Sequence, residues 1–436
     1  MSKPTVALET LGCKVNQYES SHLLERLHQA GHPLVAFRER ADIYLVNSCA
    51  VTARAGTQTR QLLHRAQRLN PRALIVVMGC DAQLEPDRFV SEALATHVLG
   101  TREKLDLIRW LETPADLQHP LVRVSDARCY DRLAPLPVNR MLGERTRAFL
   151  KIQDGCDAFC SYCVVPMTRG CGRSLPAAAV LEEFDRLVRA GYREVVLTGI
   201  HLGQWGRDLT PEDQLSRLLT ALETGPGPAR IRLSSLEPTE WNPAVLAALA
   251  ASERICPHFH VPLQSGDRDL LAAMGRPYAP ERYLEIIGEL HRIRPQAAIG
   301  ADVMVGFPGE TADRFRATTE LIERTPVNYL HVFPFSPRPG TAAARRPGRV
   351  TGQELKARAK ALRELGERKR RQFHQQQLGR WVQVLVENRT ADGWSQGTSE
   401  NYLPVRVRAA APTALGEIVQ VRLESLTPRG FIGRIS

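Results

Sequence analysis

Cys156-Asp157-Ala158-Phe159-Cys160-Ser161-Tyr162-Cys163 sets three thiols within eight residues, with three residues in the first gap and two in the second, just after the apolar run Ala148 to Ile152. Thiolates are soft ligands that suit iron–sulfur clusters or zinc. A loop this short can aim three sulfurs at one iron–sulfur cube and leave the fourth iron without a protein ligand. A closed structural zinc site would want a fourth ligand in a paired spacing, and none stands nearby. The loop therefore reads first as a cluster-binding loop, with zinc or buried packing cysteines as the alternatives.

The chain has 436 residues, too long for one ordinary core, so two or three domains are expected. No run of about 18 apolar residues exists, which argues against a membrane span. The start, Met1-Ser-Lys-Pro-Thr-Val6, leads into a strand and has no signal-peptide core. Nine cysteines at irregular spacing, without such a signal, argue for ligands in a reducing compartment, and a cytoplasmic protein is expected. The net charge of +11 is concentrated. Between Arg338 and Arg371 twelve Lys/Arg face only Glu354, Glu364 and Glu367, so this segment carries +9. Such a tract collects phosphates and favours a nucleic-acid partner; a solvated helix face is the bland alternative.

In the first 120 residues, strands at Val6–Leu11, Asp42–Val46 and Ala73–Met78 alternate with helices at Asn16–Ala30, 53–69 and Gln83–Ala93. This alternation predicts βαβ units and a parallel sheet covered on both faces. Cys13, Cys49 and Cys80 each follow one of the strands. Sites in open parallel sheets form outside the carboxyl ends of the strands, so these three cysteines fall on one edge. Gly12 and Gly79 stand before two of them and suit a close approach of the backbone to a bulky ligand. The functional reading is a second three-thiolate cluster; the alternative is buried structural cysteines.

Two sets of motifs carry a family resemblance. The 156–163 loop, with Tyr162 before its last cysteine, resembles the radical S-adenosylmethionine (SAM) signature. Thr10-Leu-Gly-Cys13-Lys-Val-Asn-Gln-Tyr-Glu-Ser20, Val46-Asn-Ser-Cys49-Ala-Val-Thr52 and Gly79-Cys80-Asp-Ala-Gln83 resemble the N-terminal domain of the methylthiotransferases. Within that family, Cys-Lys-Val-Asn-Gln-Tyr-Glu-Ser is similar to the branch acting on N6-threonylcarbamoyladenosine in tRNA. The branches acting on isopentenyladenosine and on a ribosomal-protein aspartate tend to read Cys-Gln-Met-Asn and Cys-Pro-Lys-Asn.

The stretch Ala134-Pro-Leu-Pro-Val-Asn-Arg140, after a lone Cys129, reads as a linker. Beyond it, apolar strands at 148–152, 194–197, 231–234, 259–263, 299–305 and 330–335 recur between helical stretches. They fit a partial (β/α)6 barrel with functional residues on the loops after the strands. The resemblance implies that the unique iron of the 156/160/163 cluster chelates the methionine end of SAM, near Tyr162. Thr198, Gly199 and Ile200 would lie against that end, Gln264, Ser265 and Gly266 against the ribose, and Gly300, Val303 and Gly306 along the adenine. Arg169 and Arg173 are candidates to meet the substrate or a carboxylate, or to lie on the surface. Cys171 and Cys256 are read as packing and Cys129 as incidental.

A basic helix is predicted over 352–376, with Leu355, Leu362 and Leu365 as its apolar face. After Trp381, short β runs separated by Gly, Asp, Pro and Thr turns predict a small antiparallel barrel. It resembles the TRAM domain, an RNA-binding module, and Trp394, Tyr402 and Phe431 are candidates to stack on bases or fill its core.

The expected architecture is α/β: residues 1–120 a parallel α/β domain, 121–144 a linker, 145–372 a radical SAM barrel and 373–436 a TRAM-like barrel. The family implies two [4Fe-4S] clusters, SAM used in two ways, a low-potential electron donor, and the anticodon stem-loop of tRNA as partner. The open iron on the second cluster would hold the sulfur to be inserted. Neither membrane nor DNA is expected as a partner. The rival readings are the same chemistry on isopentenyladenosine or a ribosomal-protein aspartate, and, from another class, a non-catalytic iron–sulfur RNA-binding redox sensor.

Overall fold

The computed structural model describes residues 3–139, 141, 146–225, 227–390, 392–408 and 414–436. The chain divides into two compact units, the first of residues 1–144, 153–175 and 336–344, the second of residues 145–152, 176–335 and 345–436. The boundary drawn at 144 and 145, and Arg140 of the linker motif, lie outside the described residues.

The first unit is built on six parallel strands, β1 (Val6–Thr10), β2 (Leu34–Val35), β3 (Ile43–Ser48), β4 (Leu74–Gly79), β5 (His97–Leu99) and β6 (Leu121–Arg123), in the order β2-β1-β3-β4-β5-β6. The strands are apolar on both faces because both are covered. Val6, Leu45, Val76 and Met78 pack on one side with Leu23 and Leu27 of the helix Lys14–Gln29. Ala7, Tyr44, Val46 and Val77 pack on the other with Leu63 and Ala66 of the helix Ala53–Leu69. The helix expected over 83–93 is instead two short ones, Cys80–Leu84 and Pro86–Ser91. Pro86 has no N–H to continue the first turn and sits where a helix restarts. The Pro-rich stretch read as a linker is held against the first helix, by Tyr18 Oη donating to the Leu136 carbonyl (2.6 Å) and by His22 Nδ1 at the Pro137 carbonyl (2.9 Å). Leu136 and Val138 are buried.

The second unit carries six parallel strands in two sheets: β7 (Ala148–Lys151), β10 (Glu194–Thr198) and β11 (Arg230–Leu233), in the order β11-β10-β7, and β12 (His258–His260), β13 (Ala298–Val305) and β14 (Tyr329–Pro334), in sequence order. The remaining pair, β8 (Gln153–Asp154) and β9 (Arg173–Ser174), is antiparallel and belongs to the first unit. Alternate residues such as Ile231, Leu233, Phe259, Ile299, Ala301 and Val303 are fully buried beneath the helices. The intervening residues face the interior of the array and are polar: Glu194, Arg232, His258, His260 and Asp302.

The C-terminal strands β15 (Trp381–Arg389), β16 (Trp394–Ser399), β17 (Pro404–Arg408), β18 (Ile418–Thr427) and β19 (Gly430–Ile435) close into a barrel, β15-β16-β17-β19-β18. An antiparallel barrel is the sequence expectation, but the β17–β19 seam is parallel. A ring of five strands cannot alternate direction all the way round. Glu194 fixes this barrel to the array. It accepts from Arg230 Nε (2.6 Å) and Arg232 Nε (2.7 Å). The same guanidinium groups donate to the carbonyls of Gln383 (2.7 Å), Thr398 (3.0 Å), Ser399 (3.2 Å) and Glu400 (3.0 Å). Burial alone would push the Glu194 carboxyl up; the surrounding guanidinium groups of Arg232 and Arg230 outweigh it and hold the group at about 2.

Candidate functional site

The first unit gathers both cysteine sets. The strand order 2-1-3-4-5 reverses between β1 and β3, which makes the crevice beyond their carboxyl ends the natural ligand site. Cys13 follows β1 and caps the helix Lys14–Gln29, Cys49 follows β3, and Cys80 ends β4 and opens the helix Cys80–Leu84. Two of the three therefore stand at helix N-termini, where free N–H groups favour a thiolate. Gly12 has φ +91°, and a Cβ there would lie 2.7 Å from Cys49 Sγ, so only glycine admits that sulfur. Burial, with Cys80 and then Cys13 adding to it, pushes the Cys49 thiol up to about 12. Desolvation also pushes the Cys13 thiol up, and a metal cluster would bind such thiols as thiolates and release their protons.

The second set lies on a loop framed by β8 and β9. Gly155, at φ +71°, lets the chain turn into the loop, and a Cβ there would meet the Cys171 carbonyl oxygen at 1.8 Å. Cys156 N donates to the Gly170 carbonyl (3.0 Å), which closes the base of the loop. Backbone N–H groups then point at the sulfurs, Ala158 N to Cys156 Sγ (3.4 Å) and Val165 N to Cys163 Sγ (3.5 Å). Such donors stabilise thiolate charge and help set the potential of a bound cluster. Among the described residues neither triad brings all three of its sulfurs within 4.8 Å of one another, as three ligands of a single zinc would stand. Two sulfurs on one tetrahedral zinc, at about 2.3 Å from the metal, would stand closer than that. Both triads thus fit a multinuclear cluster better than a single ion.

A buried arginine ties the two sets together. Arg169 is 2% exposed, which corrects the surface reading. Its Nη1 donates to Asp154 Oδ1 (2.9 Å) and Glu19 Oε1 (3.1 Å), and its Nη2 to Asn16 Oδ1 (2.6 Å) and Glu19 Oε2 (3.1 Å). Lys104 Nζ, also buried, completes the pairing of Glu19 at 2.6 Å. Asn16 is three residues beyond Cys13, and Asp154 is two residues before Cys156. Arg173 is likewise buried and donates to the Arg169 carbonyl (3.0 Å). Cys171, expected to pack, is exposed, because its turn contributes a carbonyl rather than a side chain to the loop base; Cys256 is buried as expected, and Cys129 is exposed.

In the second unit the sequence-predicted SAM residues Thr198–Ile200, Gln264–Gly266 and Gly306 stand at or beyond strand ends, whereas Gly300 and Val303 lie within β13. Thr198 ends β10, is buried, and accepts at its carbonyl from Ile152 N (3.0 Å), with Gly199 and Ile200 half-buried after it. Gln264, at φ +60°, bridges to Val303, and Gly266 N donates to Thr318 Oγ1 (2.9 Å), beside the buried Ser265. Some of these positions have packing duties. The Val303 side chain is wholly buried, and a Cβ at Gly300 would strike the Tyr329 ring at 2.0 Å. A Cβ at Gly306 would reach Leu355 at 2.4 Å.

Sequence reasoning missed a polar group on the inner face of this array. His260 Nε2 lies 3.1 Å and His331 Nδ1 3.2 Å from Asp302 Oδ1, and Ser235 Oγ is 2.6 Å from His260 Nδ1. The signal was available, since a carboxylate within an otherwise apolar central strand stands out in a parallel sheet. His201 Nε2 also meets the buried Glu240 at 2.7 Å beyond β10.

The basic tract is partly spent internally. Arg338 is buried near Asp81 (3.7 Å) and Glu85 (3.8 Å), Arg358 pairs with Glu310 (2.7 Å), and Lys369 Nζ donates to the Thr325 carbonyl (2.7 Å). Lys356, Lys360, Arg363 and Arg371 of the helix Gly352–Gln377 remain exposed. Of the candidate base-stacking residues, Phe431 fills the barrel core and Arg406 covers Trp394. Tyr402 stacks on His258 at 4.3 Å.

A CxxxCxxC loop and a six-stranded parallel βα array together mark the radical SAM class of enzyme. Residues 150–322 match the radical SAM superfamily, and residues 5–100 match the family described as uncharacterized protein family UPF0004. The chain is 36% identical over 429 residues to the threonylcarbamoyladenosine tRNA methylthiotransferase MtaB of Thermotoga maritima, covering 98% of this chain and 96% of that one. It is 35% identical to the protein of that name from Bacillus subtilis (96% and 93% covered). It is 32% identical to the tRNA-2-methylthio-N(6)-dimethylallyladenosine synthase of Pelotomaculum thermopropionicum (94% and 93% covered). The chain belongs to the radical SAM tRNA methylthiotransferases. Among solved structures, the radical SAM methyltransferase TsrM of Kitasatospora setae shares the fold with TM-score 0.57 at 16% identity, over 78% of this chain and 75% of that one.

Proposed function

We propose that this chain inserts a methylthio group at C2 of N6-threonylcarbamoyladenosine, at position 37 beside the tRNA anticodon. The observation that carries the reading is near-full-length kinship with curated threonylcarbamoyladenosine tRNA methylthiotransferases. The two cysteine triads, joined by Arg169, supply the chemistry such a reaction needs. Cys156, Cys160 and Cys163 would hold one [4Fe-4S] cluster and Cys13, Cys49 and Cys80 the other. When bound, the first cluster supplies the electron that reductively cleaves the SAM sulfonium, and the second supplies a site for the sulfur to be inserted.

The protein's own part is binding and positioning. The N–H donors at Cys156 and Cys163 hold sulfur charge, and Arg169 fixes the loop ends at Asp154 and Asn16. Tyr162, Thr198–Ile200, Gln264–Gly266, Gly300, Val303 and Gly306 are proposed for SAM. The exposed face of the helix Gly352–Gln377 would collect tRNA phosphates. A low-potential reductant and a cytoplasmic setting complete the reading; among the described residues no helix is long and apolar enough to cross a membrane. The test is anaerobic assay of the reconstituted protein with SAM, a reductant and an anticodon stem-loop carrying the threonylcarbamoyl group. The reading expects the methylthio product; SAM cleavage without product on that RNA, but with product on the isopentenyl RNA, would move the substrate to the other branch.

A further inference from the structure

The polar group inside the second unit's array is part of a ladder of rings. Tyr402 and His258 are 4.3 Å apart, His258 and Tyr329 5.9 Å, Tyr329 and His331 5.5 Å, His260 and His331 5.1 Å, and His331 and Phe333 6.3 Å. On β14 the alternate residue Leu330 packs against Gly366 of the basic helix, so Tyr329, His331 and Phe333 turn inward. At one end of the ladder Tyr402, itself 43% exposed, lies over His258. The other end, towards the carboxyl end of β14 where barrel sites form, is open as well: Phe333 is 40% exposed, and the His331 side chain 54%.

Hydrogen bonding sets what this open end can offer. An ionised Asp302 only accepts. Burial would raise its pKa, but hydrogen bonds from His260 and His331 outweigh that and lower it. His260 Nε2 lies 3.1 Å from Asp302 Oδ1, and its Nδ1 is 2.6 Å from Ser235 Oγ. His331 donates from Nδ1 to Asp302, while its Nε2 takes no hydrogen bond from the described residues.

Building on the proposed substrate, we propose that His331, oriented by Asp302, is a specificity-determining residue whose Nε2 accepts a hydrogen bond from the polar arm on N6 of the target adenosine, with Phe333 against the base. The threonylcarbamoyl arm carries a hydroxyl that would donate to Nε2, the acceptor nitrogen of a ring whose Nδ1–H is given to Asp302. An isopentenyl arm carries no such donor and would leave Nε2 unpaired once covered, a discrimination on the order of tenfold or more. The same three groups could instead collect a divalent cation, since their ligand atoms lie within 4.8 Å of one another. The exposed Phe333 ring beside His331 offers an aromatic face that a bare ion would not use, which favours the organic ligand.

The test measures binding of the cluster-loaded protein to three anticodon stem-loops, carrying threonylcarbamoyladenosine, isopentenyladenosine or plain adenosine. Wild type should prefer the first. His331→Phe should lose that preference by about tenfold while binding the plain hairpin within about twofold, with iron content and melting temperature as folding controls. His331→Gln, which keeps a side-chain acceptor, should restore part of it and guards against a misfolded His331→Phe. An unchanged preference in His331→Phe, or equal losses on all three hairpins, would overturn the assignment and leave the proposed function standing. Zinc bound in the wild type but lost in His331→Phe would overturn it in favour of a metal centre. No preference in the wild type would overturn the substrate reading and this inference with it.

Discussion

Arg169 and Glu19 form a two-pronged buried pair, Nη1 to Oε1 and Nη2 to Oε2, each at 3.1 Å, and through it the two cysteine sets share one rigid support. Glu19 lies one helical turn beyond Asn16, on the helix that Cys13 opens, and Arg169 ends the short helix Val165–Arg169 that follows Cys163. Forked geometry of this kind is available to arginine and not to lysine.

Removing one partner of such a buried pair leaves the other uncompensated, at about 3–5 kcal/mol. We therefore predict that Arg169→Gln lowers stability by that order and reduces iron loading at both sites. Lysine at this position should rescue little. Iron per chain and thermal melting of the reconstituted protein measure both effects, and normal loading of Arg169→Gln would refute the shared support.

The glycines before the cysteines allow the two sites to be broken separately. Gly155→Ala places a methyl on the Cys171 carbonyl and should remove about four of about eight irons while sparing the rest. Gly12→Ala displaces Cys49 and should remove the complementary four. If either variant lost all iron or none, the two sites would not be independent in the way their strand-end positions imply.

Much of this was legible in the chain. The cysteine spacing at 156, 160 and 163, the placement of Cys13, Cys49 and Cys80 after strands, and all six strands of the second unit's parallel array follow from local pattern. What escaped is long-range. Arg169 reads as any arginine in a Gly-rich turn until Glu19, some 150 residues earlier, is brought to it. Arg338 and Arg358 look like members of a basic tract until Asp81 and Glu310 are placed beside them. Tyr402 has the composition of an RNA-stacking residue, yet it rests on His258. The split at Glu85 was missed because Pro86 can either end or begin a helix.

Glu194 gives the second unit a definite response to acid. Its pKa is depressed to about 2, against about 4.3 in an unfolded chain. Its contribution is therefore complete above the unfolded value and is lost as pH falls towards 2. The size is on the order of 3 kcal/mol. Glu194→Gln should melt lower at neutral pH and show a flatter dependence of melting temperature between pH 5 and 3, and a wild-type slope in that variant would show that other carboxylates carry the effect.

The exposed face of the basic helix should govern the salt dependence of tRNA binding. Replacing Lys360, Arg363 and Arg371 together by alanine should lower the slope of log K against log salt by about 2–3, at roughly 0.7–0.9 per phosphate contact. An unchanged slope would place the phosphate contacts elsewhere.

The central claim is most directly tested by mass spectrometry of tRNA nucleosides from cells lacking this chain, with and without the gene restored. The account predicts that 2-methylthio-N6-threonylcarbamoyladenosine disappears, returns with the wild-type gene, and does not return with Cys156→Ala. Persistence of that nucleoside in the deleted cells, or its return with Cys156→Ala, would contradict it.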